Sequence, residues 1–226
     1  MTKTLRRPVL AAAIAAGALV ATSGSAYADP GTSEARGGAD HKADRRTAEV
    51  TGSAEFQLPF SPDEDVRAFT FDVHGKPYSK PMLPYAPEGL PTDAVGTVKI
   101  SHRLAATGET IRMGAKVDCL VTAPGTATIT AVITRADEAV KDWIGRRVGW
   151  SVHDGGPNHH GHSRDRVSFS WNFSMDKNDQ GEWREAKLGT CVAPAAFGKV
   201  TRGDYTVRHA DLLPQPTVSR PMSLHR

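Results

Sequence analysis

From Ile111 to Val121 the chain alternates. Ile111, Met113, Ala115, Val117, Cys119 and Val121 are apolar, Arg112, Gly114, Lys116 and Asp118 stand between them, and only Leu120 breaks the pattern. A period of two puts successive side chains on opposite faces of an extended strand, one suited to a core and one to water. The pattern recurs at Val167, Phe169, Trp171 and Phe173, which alternate with Ser168, Ser170 and Asn172. Shorter versions are Phe56 and Leu58; Phe69, Phe71 and Val73; Val98 and Ile100; Ala127, Ile129, Ala131 and Ile133; Val148, Trp150 and Val152; and Tyr205 and Val207. Turn-forming pieces separate them: Gly75-Lys76-Pro77, Thr107-Gly108, Pro124-Gly125, Gly155-Gly156-Pro157 and Asp179-Gln180-Gly181. Half-buried strands joined by short turns belong to antiparallel sheets. The pattern predicts an all-β fold, an antiparallel β-sandwich or small barrel of about 7–8 strands with at most one short helix.

The helical candidate is the stretch from Arg135 to Trp143, rich in helix formers but too short to be stable alone. Residues 77–93 hold Pro77, Pro81, Pro84, Pro87 and Pro91, which rules out an interior strand and predicts an extended surface connection.

Lys3, Arg6 and Arg7 precede an uncharged apolar run from Val9 to Ala21, then a small-polar segment ending in Ala26-Tyr27-Ala28. These are the parts of a secretory signal peptide, with cleavage expected between Ala28 and Asp29. The apolar run is too short to cross a hydrocarbon layer of about 30 Å. The expected organisation is a signal peptide over 1–28, a disordered leader over 29–50, a β-rich domain over 51–211 and a loose tail over 212–226. The leader mixes Gly, Ala and both charge signs, and the tail holds Pro214, Pro216 and Pro221.

The whole chain of 226 residues carries a formal charge of +3, from 28 basic and 25 acidic side chains. The signal contributes three basic residues and no acidic one, so the secreted chain has 25 of each sign. The basic excess belongs to the export signal and argues for no nucleic-acid partner. No second hydrophobic stretch follows, so the expectation is a secreted, extracellular monomer with no membrane attachment after cleavage.

Two cysteines in an exported chain predict a single Cys119–Cys191 bridge. It would close a loop that the chain-entropy model values at about 4 kcal/mol. Cys119, placed by the alternation on the inward face, is buried too deeply to serve as a nucleophile.

The densest chemistry lies between His153 and Asp165. This stretch holds four of the nine histidines: His153, His159, His160 and His162. With Asp154 and Asp165 they are candidate ligands for Zn or Cu, while Asp154, Asn158 and Asp165 offer oxygens to Ca. The favoured reading of this stretch is a solvated hairpin loop, with metal binding the alternative, and the expectation is no cofactor. Asp176 to Gly181 resembles the start of a calcium loop, but Lys187 stands where the bidentate Glu is needed, so it reads as a turn. The chain beyond Ala28 contains no G-x-S-x-G, H-E-x-x-H, P-loop or G-x-G-x-x-G. No catalytic residue is assigned. A hydrolase site assembled across strands would take the form of a triad of scattered Ser, His and Asp, or of a carboxylate from the Asp63-Glu64-Asp65 run working with a distant partner. Trp150 and Trp171 fall in phase with the core, while Trp143 and Trp183 are candidates for exposed stacking on a sugar or partner.

Several landmarks resemble a group of uncharacterised secreted actinobacterial proteins labelled "repetin". They are Phe69-Thr70-Phe71-Asp72, Val117-Asp118-Cys119-Leu120, Trp143-Ile144-Gly145-Arg146-Arg147-Val148-Gly149, Val152-His153-Asp154-Gly155 and a later cysteine. The similarity spans about Phe56 to Val207. The Val152–Gly155 motif followed by Asp165-Arg166-Val167-Ser168-Phe169 is also similar to post-COAP-1-type bacterial secreted β-modules. These resemblances imply a secreted β-rich module and assign no activity. The expected role is non-enzymatic, as an extracellular binding or structural module; the alternatives are metal binding by 153–165 and a small secreted hydrolase.

Overall fold

The structure, a computed structural model, describes residues 47–61, 63–158, 163–171 and 173–216. The strands are β1 (Glu49–Gln57), β2 (Val66–Gly75), β3 (Ala94–Arg103), β4 (Thr110–Ala123), β5 (Thr126–Ala136), β6 (Arg147–His153), β7 (Arg166–Val167), β8 (Met175–Lys177), β9 (Trp183–Glu185) and β10 (Gly198–Arg208). A 3-10 helix, Glu138–Trp143, links β5 to β6. β1 to β7 form an antiparallel meander, and β10 closes the ring between β7 and β1. Of the two architectures expected, the barrel is the one formed. β1 has a partner on each side, β2 and β10, so the first strand is not a free edge. β8 and β9 make a separate hairpin.

The alternating apolar residues fill the interior. Phe56, Phe69, Phe71, Val73, Val98, Val117, Ile129, Trp150, Val152 and Val167 are fully or almost fully buried. Two inward positions are glycines with φ of 121° and 124°, Gly52 and Gly96. A Cβ on Gly52 would stand 2.4 Å from the Asp204 carbonyl oxygen, and one on Gly96 2.0 Å from that of Asp72. The strands bend tightly there, and Phe71 and Val73, their respective cross-strand partners, fill the space left.

Several sequence expectations change. The break at Leu120 is a β-bulge between Val117 and Cys119, so the phase flips. Leu120 enters the core opposite Ile129, whereas Cys119 pairs with Thr130 on the outer side. Cys119 is buried by chain lying over the barrel, not by the interior. The second correction is the strand through Val167–Phe173, of which only Arg166–Val167 forms β7. Beyond it, Ser168 and Ser170 accept the backbone N–H groups of Ser151 and Gly149 through their hydroxyl oxygens, at 3.2 and 3.0 Å. The hydroxyls replace ladder carbonyls and hold this chain off β6, while Phe169 still points into the core. Third, the helical segment is 3-10 and begins at Glu138, because β5 continues to Ala136.

β1 starts at Glu49, inside the stretch assigned to the leader. The proline-rich connection folds back on itself. The buried Asp93 carboxylate accepts the N–H groups of Ser79, Lys80 and Leu90 at 2.8–3.1 Å. The Lys80 ammonium donates to the carbonyls of Ala94, Val117 and Asp118 at one end of the barrel, and burial pulls its pKa down. In the tail segment, the Leu213 carbonyl accepts the Tyr78 hydroxyl at 2.8 Å.

The Cys119–Cys191 disulfide is present, with its Cα atoms 5.5 Å apart. It pins a strap, roughly residues 187–196, across the outer face. The Cys191 N–H donates to the Thr130 hydroxyl at 3.1 Å, Arg147 donates to the Leu188 carbonyl at 3.1 Å, and the Ser168 hydroxyl donates to the Pro194 carbonyl at 2.6 Å. Arg147 also pairs with Asp118 at 2.7 Å. Gly149 lies under the strap: a Cβ there would stand 2.0 Å from the Val192 carbonyl oxygen.

Candidate functional site

The inward phase of the strands ends, at one rim of the barrel, in polar residues. Phe56 on β1 is opposite Arg67 on β2, Arg67 is opposite His102 on β3, and His102 is opposite Ile111 on β4. The next layer down is Ala54, Phe69, Ile100 and Met113. Two long polar side chains in a row otherwise built for a core mark where the interior meets solvent.

Aromatic rings surround this mouth. Phe169 and Trp171 stack at 3.9 Å between ring centres, and Trp143, from the 3-10 helix, meets Trp171 edge-on at 5.8 Å. Phe60 meets Phe173 at 5.5 Å and Phe197 at 5.9 Å. Phe60 and Phe173 are 58% and 42% exposed, so the aromatic cluster runs from the core out to solvent. Between these groups lies a cavity of about 290 Å³, bounded by Phe60, Phe69, Met113, Trp143, Phe169 and Trp171, with Arg67, Ser101 and His102 as its polar lining. Ser101 stands one residue out of phase with His102, opposite Ala68 and Arg112.

One charged network holds the polar side of the mouth. Arg67 grips both oxygens of Asp63, at 2.7 and 2.8 Å, and reaches Asp65 at 3.2 Å. The Asp65 carboxylate also accepts the Ala105 backbone N–H at 2.9 Å and the His102 ring N–H at 2.7 Å. Asp63 is held well below the ordinary carboxylate range, first by the Arg67 hydrogen bonds and then by that of Ser61. Asp65 is pulled down by the Ala105 N–H and next by His102. Both carboxylates are therefore ionised acceptors at neutral pH.

Two other concavities have different chemistry. A groove of about 470 Å³ on the outer face is bordered by Lys99, Arg112 and Arg135 over the bare backbone of Gly114, and lies open to solvent. A smaller space of about 260 Å³ lies between the connection at Pro77 and Pro91 and the chain at His209–Leu213.

Among the sequence-predicted metal ligands, His159, His160 and His162 lie outside the described residues, as does the Ala28–Asp29 cleavage site. His153 is exposed at the end of β6. Asp154 accepts the N–H groups of Gly156 and Val207, at 2.8 and 2.9 Å. Asp165, buried, accepts those of Gly155 and Tyr205, at 2.9 and 2.8 Å. Asp154 and Asp165 thus serve the free side of β10, which pairs with β7 only at Gly198 and Lys199. Among the described residues no group of three or more His, Cys, Asp or Glu side chains stands close enough to hold a metal ion. The calcium-like segment is the turn of the β8–β9 hairpin, closed by the Asn178 side chain accepting from Gln180 and Glu182. Trp183 on that hairpin is 68% exposed, with the Lys177 ammonium 5.2 Å from its ring centre. Trp150 is in the buried core as expected, whereas Trp171, like Trp143, is partly buried and packs against it.

Sequence reasoning passed over Arg67 and His102. The signal was present: Arg67 continues the phase of Phe69, Phe71 and Val73, and His102 that of Val98 and Ile100. Comparison with known proteins finds no family model, no curated protein and no solved structure that matches this chain.

Proposed function

We propose that this chain acts outside the cell as a monomeric, non-enzymatic binding module, and that it takes a small, flat, largely apolar molecule into the aromatic mouth of its barrel. The observation that carries the reading is the cavity of about 290 Å³, walled by Phe60, Trp143, Phe169 and Trp171 with only a few polar groups. Small-molecule sites are mostly apolar, carry a few fixed polar groups, and occur in the mouths of β-barrels. Eight strands enclose an interior that is either filled by side chains or holds one small ligand. Here the lower layers are filled and the top layer is not. The cavity lies near the lower end of the usual range of about 300–1,000 Å³, which suits one or two fused rings.

Titration with the neutral fluorophore phenylnaphthylamine tests this. Saturable binding, with energy transfer from tryptophan, is expected, and Trp143→Ala weakens it by about tenfold. Trp183→Ala, outside the cavity lining, leaves it unchanged. Absence of saturation, or equal loss in both variants, overturns the reading. Export has its own test: N-terminal sequencing of protein recovered from the medium of the source organism reads from Asp29.

A further inference from the structure

Resting on that reading, we infer that the ligand carries a hydroxyl which donates to His102, so that the mouth takes phenol-type molecules, one or two aromatic rings with an O–H at the edge. Asp65 fixes the chemistry of the imidazole. Its carboxylate can only accept, and it already accepts from Ala105, Arg67 and His102. The His102 nitrogen facing it, Nε2, must therefore carry the ring proton. In the neutral ring Nδ1 is then a bare acceptor, and among the described residues it has no hydrogen-bond partner.

The rest of the lining narrows the choice. The terminal nitrogens of Arg67 are engaged by Asp63 and Asp65, so its charge is already compensated. An anionic head would meet two carboxylates beside that one guanidinium. A ketone or ether brings an acceptor to an acceptor. A hydroxyl donor satisfies Nδ1, and its aromatic body matches walls made of Phe60, Trp143, Phe169 and Trp171.

The probes are β-naphthol, β-naphthyl methyl ether and naphthalene, each measured by displacement of phenylnaphthylamine from the unmodified protein. A net hydrogen bond gives β-naphthol a preference of about three- to tenfold over both analogues. His102→Leu abolishes that preference while retaining naphthalene binding. Asp65→Asn, which no longer dictates the tautomer, reduces it. Equal affinity for all three molecules in the unmodified protein overturns this inference and leaves the apolar-mouth reading standing. Failure of all three, and of phenylnaphthylamine, overturns both. The ligand series needs no variant, so a misfolded His102→Leu would not shield the inference.

Discussion

The Asp165 carboxylate accepts the backbone N–H of Tyr205 at 2.8 Å, across forty residues of chain, on the side of β10 away from β1, where no strand pairs with it. Its other oxygen takes the Gly155 N–H. One buried side chain thus stands in for part of a missing ladder. Asp165→Ala strands both donors and should cost about 3 kcal/mol, read as a lower urea midpoint. Hydrogen exchange at Tyr205 should accelerate in the same variant. Unchanged stability would remove Asp165 from the closure of the barrel.

Gly149 and Val192 leave no room for a methyl group. Gly149→Ala must lift the strap or bend β6, at about 1–3 kcal/mol. Limited proteolysis should cut the variant within residues 187–196 at a protease concentration that leaves the parent intact.

The disulfide joins residues 72 apart, and replacing both Cys119 and Cys191 by Ser should lower stability by about 2–4 kcal/mol. Because the strap also rests on Thr130, Arg147 and Ser168, the substituted barrel should keep its circular dichroism spectrum at room temperature. Loss of that spectrum would mean the bridge holds the barrel itself.

Asp63 and Asp65 are both depressed in the fold relative to the unfolded chain. Their contribution is present above the unfolded carboxylate value of about 3.9, and fades as the pH falls from there through the lower folded values. The urea midpoint should therefore drop between about pH 5 and pH 2. Arg67→Met, which removes the main cause at Asp63, should flatten that drop; an unchanged pH profile would show that other carboxylates set it.

Strands were legible because burial writes a period of two into the chain: Phe69, Phe71 and Val73 declare an inward face without help from any other segment. The bulge at Asp118 was not, because a bulge is a relation between two strands, and its trace in one of them is the single misplaced Leu120. Much of β10 was equally hidden, since Thr201, Arg202, Gly203 and Asp204 are exposed and a register shift sets buried Val200 out of step with Tyr205 and Val207. The mouth was half visible. Arg67 and His102 sit in phase with core residues, but neither forms a motif. Asp63 and Asp65 were noticed as carboxylates without a partner, because His102 reaches Asp65 from 37 residues away. Pairings of that kind come from topology and not from spacing.

Glu49 and Arg208, the first residue of β1 and the last of β10, face each other across the seam that closes the ring. Neighbouring strands lie about 4.8 Å apart, so the start of β1 and the end of β10 meet at a single spot on the barrel. That spot is at the end opposite Phe56, Arg67 and His102. A short linker joining the start of β1 to the end of β10 would make the barrel strands a closed circuit of chain, which can be reopened in a surface loop away from the rim.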